Sequence, residues 1–414
     1  MTVGKGIPKL LRNEVLAKTL RSITPSADFL LSNRFPSQNY ESDTIRWAME
    51  YGTAGMTPFV APGSPAPTVG DEGMFSEGSA RAAYWKEKMF IDEVMMNNLR
   101  EPLTQSQRFT AERQLARNQN KLRNRCQRRR EWMLAKMFFD GTFSYQVQGG
   151  SKFTVDYGIP STHKVTLTGD DVWWDDANNE PGATATPIQD IYDARKTFVD
   201  DIGKEPTETM INSDLLRVLM FNGDLQTMLQ ESAFGNGDLF TRPAQVLGQL
   251  FGLGTLTVYD QIMEITAFLT QDVSSGATTL NIDDATDFES DETVRVYDLT
   301  DPFDYEEFTI SSVDKTSDTI TIDSGLSNSY KAGQAKIVMR KKFLPDNKLT
   351  MYVDTVEGES IAEFMNAPFG NDRNFGMTVD GTEEWDPDGY WIRVQNKGLP
   401  VLYNPDSIFT LTVK

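Results

Sequence analysis

The sequence predicts an α+β protein with a separate all-β module inserted near its C-terminal third, and three observations carry that prediction. Residues Thr104 to Asp140 hold one long helical apolar stripe. The flanking segments mix helical and strand periods, and Thr270 to Val338 changes to two-residue alternation. At 414 residues the chain exceeds the usual single core, so a large domain with a smaller companion is expected.

Hydrophobic residues make up 39% of the chain, with 24 Phe and 7 Trp, which is enough for a packed interior. No apolar run approaches the roughly 20 residues of a membrane helix. Met1 to Ile23 carries Lys and Arg without the apolar stretch of a secretory signal, so synthesis in the cytoplasm is expected. Cys126, the single cysteine, can form no internal disulfide and has no thiol partners for a metal. A formal net charge of −20 makes the molecule as a whole repel a polyanion, so any DNA contact must be local. The lone histidine, His163, has no Ser, Cys or carboxylate partner at a catalytic spacing and reads as an ordinary polar residue beside a strand.

Pro8 to Ile23 places Leu10, Leu11, Val15, Leu16, Leu20 and Ile23 at helical spacing, and an aperiodic arm follows to Ser42. From Thr44 to Trp85, two strand-like ends enclose a long middle rich in Gly and Pro. A compact domain seldom tolerates so long an irregular stretch without a use for it. The flap carries Trp47, Met56, Phe59, Val60, Met74, Phe75 and Trp85, and its apolar tip either tucks onto its own domain or meets a partner.

The long helix, Thr104 to Asp140, is ended by Gly141 and aligns Leu115, Leu122, Cys126, Met133 and Met137 on one side. Arg113, Arg117, Lys121 and Arg128 fall roughly opposite, giving a basic face. Thr186 to Asp260 alternates helices with short strands. Within Thr270 to Val338, acids outnumber bases heavily, and its flanks, Tyr259–Leu269 and Arg340–Val353, read as one hairpin interrupted by the module. The cluster Asp170, Asp171, Asp175 and Asp176 around Trp173 and Trp174 lacks the Gly and terminal Glu of a calcium loop and reads as a turn with a packed Trp pair.

Four stretches resemble the tailed-phage major capsid protein E family: Arg128 to Trp132 in the long helix, Val155 to Pro160, Phe343 to Lys348, and the eighteen-residue block Gly389 to Asp406 (GYWIRVQNKGLPVLYNPD). The resemblance covers nearly everything outside Thr270 to Val338. It implies the tailed-phage capsid fold, with an N-terminal helix and arm (1–43) and an extended loop (44–86). A peripheral domain (87–186 and 381–414) would carry the spine helix 104–140, and an axial domain (187–269 and 339–380) would surround the insertion (270–338). The inserted module departs from the family pattern and resembles the immunoglobulin-like or small-barrel additions of some phage shells.

By the same resemblance the chain is a non-enzymatic major capsid protein without cofactors. It would self-assemble into hexamers and pentamers of an icosahedral head around double-stranded DNA. Its partners would be copies of itself, a scaffold and a portal, with room for a decoration protein. Packaged DNA would be met without sequence specificity, and no membrane is involved. The extended loop would clasp neighbouring subunits. The basic face would either line the interior towards DNA or make inter-subunit ion pairs. Some shells of this fold crosslink through a Lys on that loop, but no Lys lies between Arg46 and Trp85. The alternative is an encapsulin-like nanocompartment shell that packages protein cargo.

Overall fold

A computed structural model of the protein describes residues 11–16, 29–52, 59–65, 74–95, 105–146, 152–174, 181–230, 236–301, 303–345, 347–386 and 388–413. In chain order, the short helix α1 (Leu30–Arg34) precedes β1 (Ser37–Asn39), the hairpin β2 (Thr44–Tyr51) and β3 (Met74–Arg81), and β4 (Ala83–Asp92). The long helix α2 (Gln105–Ala135) leads to β5 (Thr142–Gln146), β6 (Lys152–Asp156) and β7 (Lys164–Thr166). Next come α3 (Pro187–Ile202), β8 (Glu208–Ile211), α4 (Ser213–Met220), α5 (Gly223–Gln230), α6 (Asn236–Thr241), α7 (Pro243–Phe251) and β9 (Thr255–Val258). The module holds β10 (Ile262–Phe268), β11 (Thr279–Asn281), β12 (Thr293–Asp298), β13 (Tyr305–Asp314), β14 (Thr319–Ile322) and β15 (Ala335–Lys342). The last elements are β16 (Lys348–Tyr352), β17 (Thr355–Val356), β18 (Glu359–Ser360), β19 (Ala362–Asn366), β20 (Thr378–Trp385), β21 (Asp388–Leu402) and β22 (Ile408–Thr412).

Helix α2 forms where the stripe predicts it. Leu115, Leu122, Cys126, Met133 and Met137 are all buried. Its first half lays that stripe on Ile91, Tyr390, Ile392 and Val394 of β4 and β21. Further along, Leu134, Ala135, Phe138 and Phe139 are buried as well, so the helix turns from a surface helix into one enclosed on all sides. Its last turn widens into a π-helix, Lys136–Asp140, and Gly141 then stops it at φ 66°, donating its N–H to the Met137 carbonyl at 3.1 Å. The amphipathic helix expected over Pro8 to Ile23 lies mostly outside the described residues; within them, Leu11 and Leu16 are buried beside Tyr390.

Three sheets organise the rest. The first has the order β1-β19-β21-β20, with β4 also paired to β21. The fifteen-residue β21 is its axis, meeting β20 and β4 along its first part and β19 from Gly398 onward. A Cβ at Gly398 would stand 2.5 Å from the Met365 carbonyl and 2.5 Å from the Phe364 ring, so only glycine allows that close crossing. The second sheet runs β7-β22-β16-β8-β9 and buries Phe409, Leu411, Leu349 and Met351 against Phe198, Leu215 and Phe251 of α3, α4 and α7.

The pairing cuts across the domain limits drawn from the sequence. Strand β19 and the first three residues of β20, assigned to the axial segment, complete the first sheet. Strands β7 and β22, assigned to the peripheral segment, belong to the second. Local periodicity identifies a strand but carries no information about which distant strand it joins.

The third sheet is the module, in the order β10-β15-β12-β13-β14-β11. An antiparallel bridge between Leu269 and Ile282 brings its two ends together, and Asp283 donates its N–H to the Phe268 carbonyl at 3.0 Å. Its core is its own, with Val294, Val296, Ile310, Ile320, Ile337 and Met339 buried. The flanks that read as one interrupted hairpin pair only in part: Ile262–Phe268 runs antiparallel to Lys342–Lys336 within the module's own sheet, whereas Lys348–Tyr352 of the second flank pairs with β8 and β22 in the second sheet.

Candidate functional site

The flap divides into an anchored base and an open tip. In β2 the alternation turns Ile45, Trp47 and Met49 inward. Trp47 is buried in its own subunit, with its ring 6.1 Å from that of Tyr157, and Gly78 on the paired strand leaves room for the indole. Trp85 also faces inward: its indole N–H lies 3.2 Å from the Cys126 carbonyl and 3.0 Å from the Cys126 sulfur. These two tryptophans, expected on the clasping surface, are internal anchors instead, because an indole at the base of a hairpin buries more area against its own core. Phe59 and Val60, in contrast, are 103% and 53% exposed. Met74 and Phe75 lie in β3 opposite Tyr51 and Glu50, and Met56 lies outside the described residues.

Arg113, Arg117, Lys121 and Arg128 are exposed along α2, as the helical spacing requires. Arg117, Lys121 and Arg128 have no ion-pair partner among the described residues. Their neighbours on the same helix are paired. Arg125 meets Glu87 of β4 at 2.7 Å, and Arg129 reaches Asp287 of the module with a guanidinium N–H 2.8 Å from a carboxylate oxygen. Lys341 of β15 lies 2.5 Å from both Glu289 and Glu292, and Lys136 lies 3.9 Å from Glu289. Of these, Arg129–Asp287 and Lys136–Glu289 join the long helix to the module, while the Lys341 pairs lie within the module.

Two buried carboxylates that sequence reasoning missed hold α1 in place. Glu131, on α2, accepts the backbone N–H groups of Leu31 and Ser32 at 2.9 and 2.7 Å and the Tyr259 hydroxyl at 2.6 Å. It supplies the cap that Phe29, at the start of α1, lacks. Burial, and then the negative Glu131, raise the Tyr259 phenol far above its ordinary range. Glu208, at the start of β8, accepts from the Thr257 hydroxyl at 2.6 Å and the Tyr352 hydroxyl at 2.7 Å, and Arg34 lies 2.5 Å away. Arg34 also makes a two-pronged contact to Asp354 at 2.9 and 2.6 Å. Helix α1 thus ties the first sheet to the second. No short motif announces either carboxylate; the one signal was an acid, Glu131, closing a run of three arginines.

The remaining polar candidates are structural. His163 is buried, with Nδ1 3.1 Å from the Ile408 carbonyl and Nε2 2.8 Å from Asp201. Burial pushes the Cys126 thiol up to about 12, which keeps it unreactive. Trp173 is buried and donates to Asp190 at 2.7 Å, while Asp175 and Asp176 lie outside the described residues. Among the described residues, no group of three or more His, Cys, Asp or Glu side chains is placed to hold a metal ion. None of their helices is long and apolar enough to cross a membrane.

Comparison with known proteins then relates this arrangement to a family. A solved structure of a phage-related protein from Bordetella bronchiseptica RB50 aligns over 97% of both chains at 12% identity, with a TM-score of 0.51, and shares the fold. A putative prophage capsid protein from Escherichia coli CFT073 aligns over 98% of this chain and 99% of its own, at 13% identity and a TM-score of 0.49. A capsid structure of cyanophage P-SCSP1u covers 92% of this chain and 86% of its own, at 9% identity and a TM-score of 0.41. No curated protein matches the sequence. The family profile described as phage major capsid protein E matches residues 14–260, more than half of the chain. The chain therefore belongs to the phage major capsid protein E family, as a non-enzymatic shell protein with the α+β capsid fold.

Proposed function

We propose that this capsid protein assembles into hexamers and pentamers that close as an icosahedral head around double-stranded DNA, built in the host cytoplasm on a scaffold and a portal. The observation that carries the reading is the division within the flap. Trp47 fixes the base in its own core, while Phe59 and Val60 project uncovered. An apolar tip on a rigid stalk is suited to a neighbour's surface, and repeated heterologous contacts of that kind close into rings. Obligate interfaces commonly bury upwards of about 2,000 Å², so apolar burial can overcome the repulsion between acidic copies. The domain limits then follow the sheets: the first sheet with α2 as the peripheral part, the second with α3 to α7 as the axial part, and the module as an addition to the outer surface.

Deletion of residues 55–73 tests the clasp. The variant is expected to remain a folded monomer and to yield no closed particles by electron microscopy, and normal-sized particles would overturn the reading. Particles purified from the wild type are expected to protect DNA from nuclease. Particles filled with a protein cargo and free of DNA would favour the nanocompartment alternative.

A further inference from the structure

At the tip of the hairpin of β20 and β21, Trp385 pairs across to Asp388. Trp385 is 90% exposed, an unusual position for the largest side chain, in a molecule whose Trp47 and Trp173 are both buried. Asp386 and Asp388 flank it, exposed, with no hydrogen-bond or ion-pair partner among the described residues. No Lys or Arg occurs between Arg373 and Arg393. An exposed indole between carboxylates is a receptor for a cationic side chain, because the ring face and the acids attract the same charge. The protein already uses that chemistry internally, with Lys88 over the Trp391 ring at 4.0 Å and Arg129 over Trp132 at 5.1 Å.

The complementary surface is the exposed face of α2, where Arg117, Lys121 and Arg128 stand without acidic partners among the described residues. Residues 117 to 128 span about 16 Å along the helix, room for a hairpin tip roughly 5 Å across its two strands. Within one subunit the helix turns its opposite side to the sheet that carries the hairpin, so this face points away from it. We propose that the β20–β21 hairpin tip of one subunit docks, through Trp385, Asp386 and Asp388, on the basic face Arg117, Lys121 and Arg128 of a second copy. This rests on the shell reading and names one contact through which that shell is held. It also gives the basic face a protein partner in place of DNA.

Charge exchange in the full-length protein tests the pairing, with shell yield measured by sedimentation and monomer folding by circular dichroism. Two variants each reverse one side, Asp386→Lys with Asp388→Lys, and Arg117→Glu with Lys121→Glu and Arg128→Glu. Each is expected to keep a wild-type spectrum and to lose at least tenfold in shell yield. Combining all five substitutions in one chain is expected to restore the yield, and Trp385→Ala to lower it at every salt concentration. The contact is overturned if either reversal alone assembles like the wild type, or if the combined chain assembles no better than the single reversals. Normal empty shells from the helix reversal, with loss of DNA retention only, would assign that face to DNA instead. Wild-type protein that forms no shells would sink the shell reading itself, a result distinct from all of these.

Discussion

Every strand of the inserted module pairs with another between Ile262 and Lys342, whereas the body pairs Ser37 with Phe364, Trp85 with Asn396 and Lys164 with Thr410. The module therefore closes short loops and fills its core from one contiguous stretch. The body must first bring together segments hundreds of residues apart. Such a difference separates what a domain can do alone from what it needs the whole chain for. The module has the parts of an independent folding unit, although one of its size without a disulfide is only marginally stable. The body is one unit because α1, α2 and β21 each touch more than one part of it.

The sharpest way to break this comparison is at Glu131. Replacing it with Ala leaves the N–H groups of Leu31 and Ser32 and the Tyr259 hydroxyl buried without an acceptor. The expected loss is about 3–5 kcal/mol of body stability. In calorimetry the body transition should fall steeply while that of the module stays in place.

A smaller loss, in the other part of the molecule, is expected from Ile320→Ala in β14, a fully buried core position of the module. Cavity formation there should cost about 2–4 kcal/mol and lower the module's transition alone. If the two transitions move together in either variant, the module and body are a single cooperative unit and the comparison fails.

The smallest effect concerns the contacts that join the two. Burial works against ionisation of Asp287, but the Arg129 guanidinium outweighs it and holds the carboxyl below its ordinary range. Glu289 is likewise disfavoured by burial and then held low by Lys341 and Lys136. Each group ionises more readily in the folded protein than in the unfolded chain. Their stabilisation is therefore full above the unfolded values, roughly 3.9 and 4.3, and is lost as pH falls through the lower folded ones. Hydrogen exchange at the interface of α2 and the module, relative to the intrinsic rate at each pH, should accelerate below about pH 4. Asp287→Asn with Glu289→Gln should produce that acceleration already at pH 7; exchange unchanged by the pair would show that these charges do not couple the two parts.

Much of this architecture was legible because it is written locally. The long helix shows itself through Leu115, Leu122, Cys126, Met133 and Met137 and stops at Gly141, and the module shows itself through alternations such as Val294–Val296 and Ile320–Ile322. Its limits were drawn slightly too tight, since Ile262–Phe268 and Met339–Lys342 belong to its sheet but read equally well as body strands. The two carboxylate clamps were not legible. Glu131 follows three arginines and looks like a surface acid, and only the distant backbone of Leu31 and Ser32 explains its burial. Trp47 was misplaced for a related reason: the alternation that exposes a flap tip also buries the flap's base, and the sequence does not mark where one gives way to the other.

Where the module leaves the body, the N–H of Phe343 donates to the carbonyl of Gln261 at 3.0 Å. The body chain is therefore interrupted by no more than the width of one hydrogen bond, and the gap is already the size of a tight turn. In evolutionary terms this is an exchange port. A lineage could lose the module, or replace it with a different one, without moving a strand of the shell-forming body, and what the particle displays could change while the container that displays it stays the same.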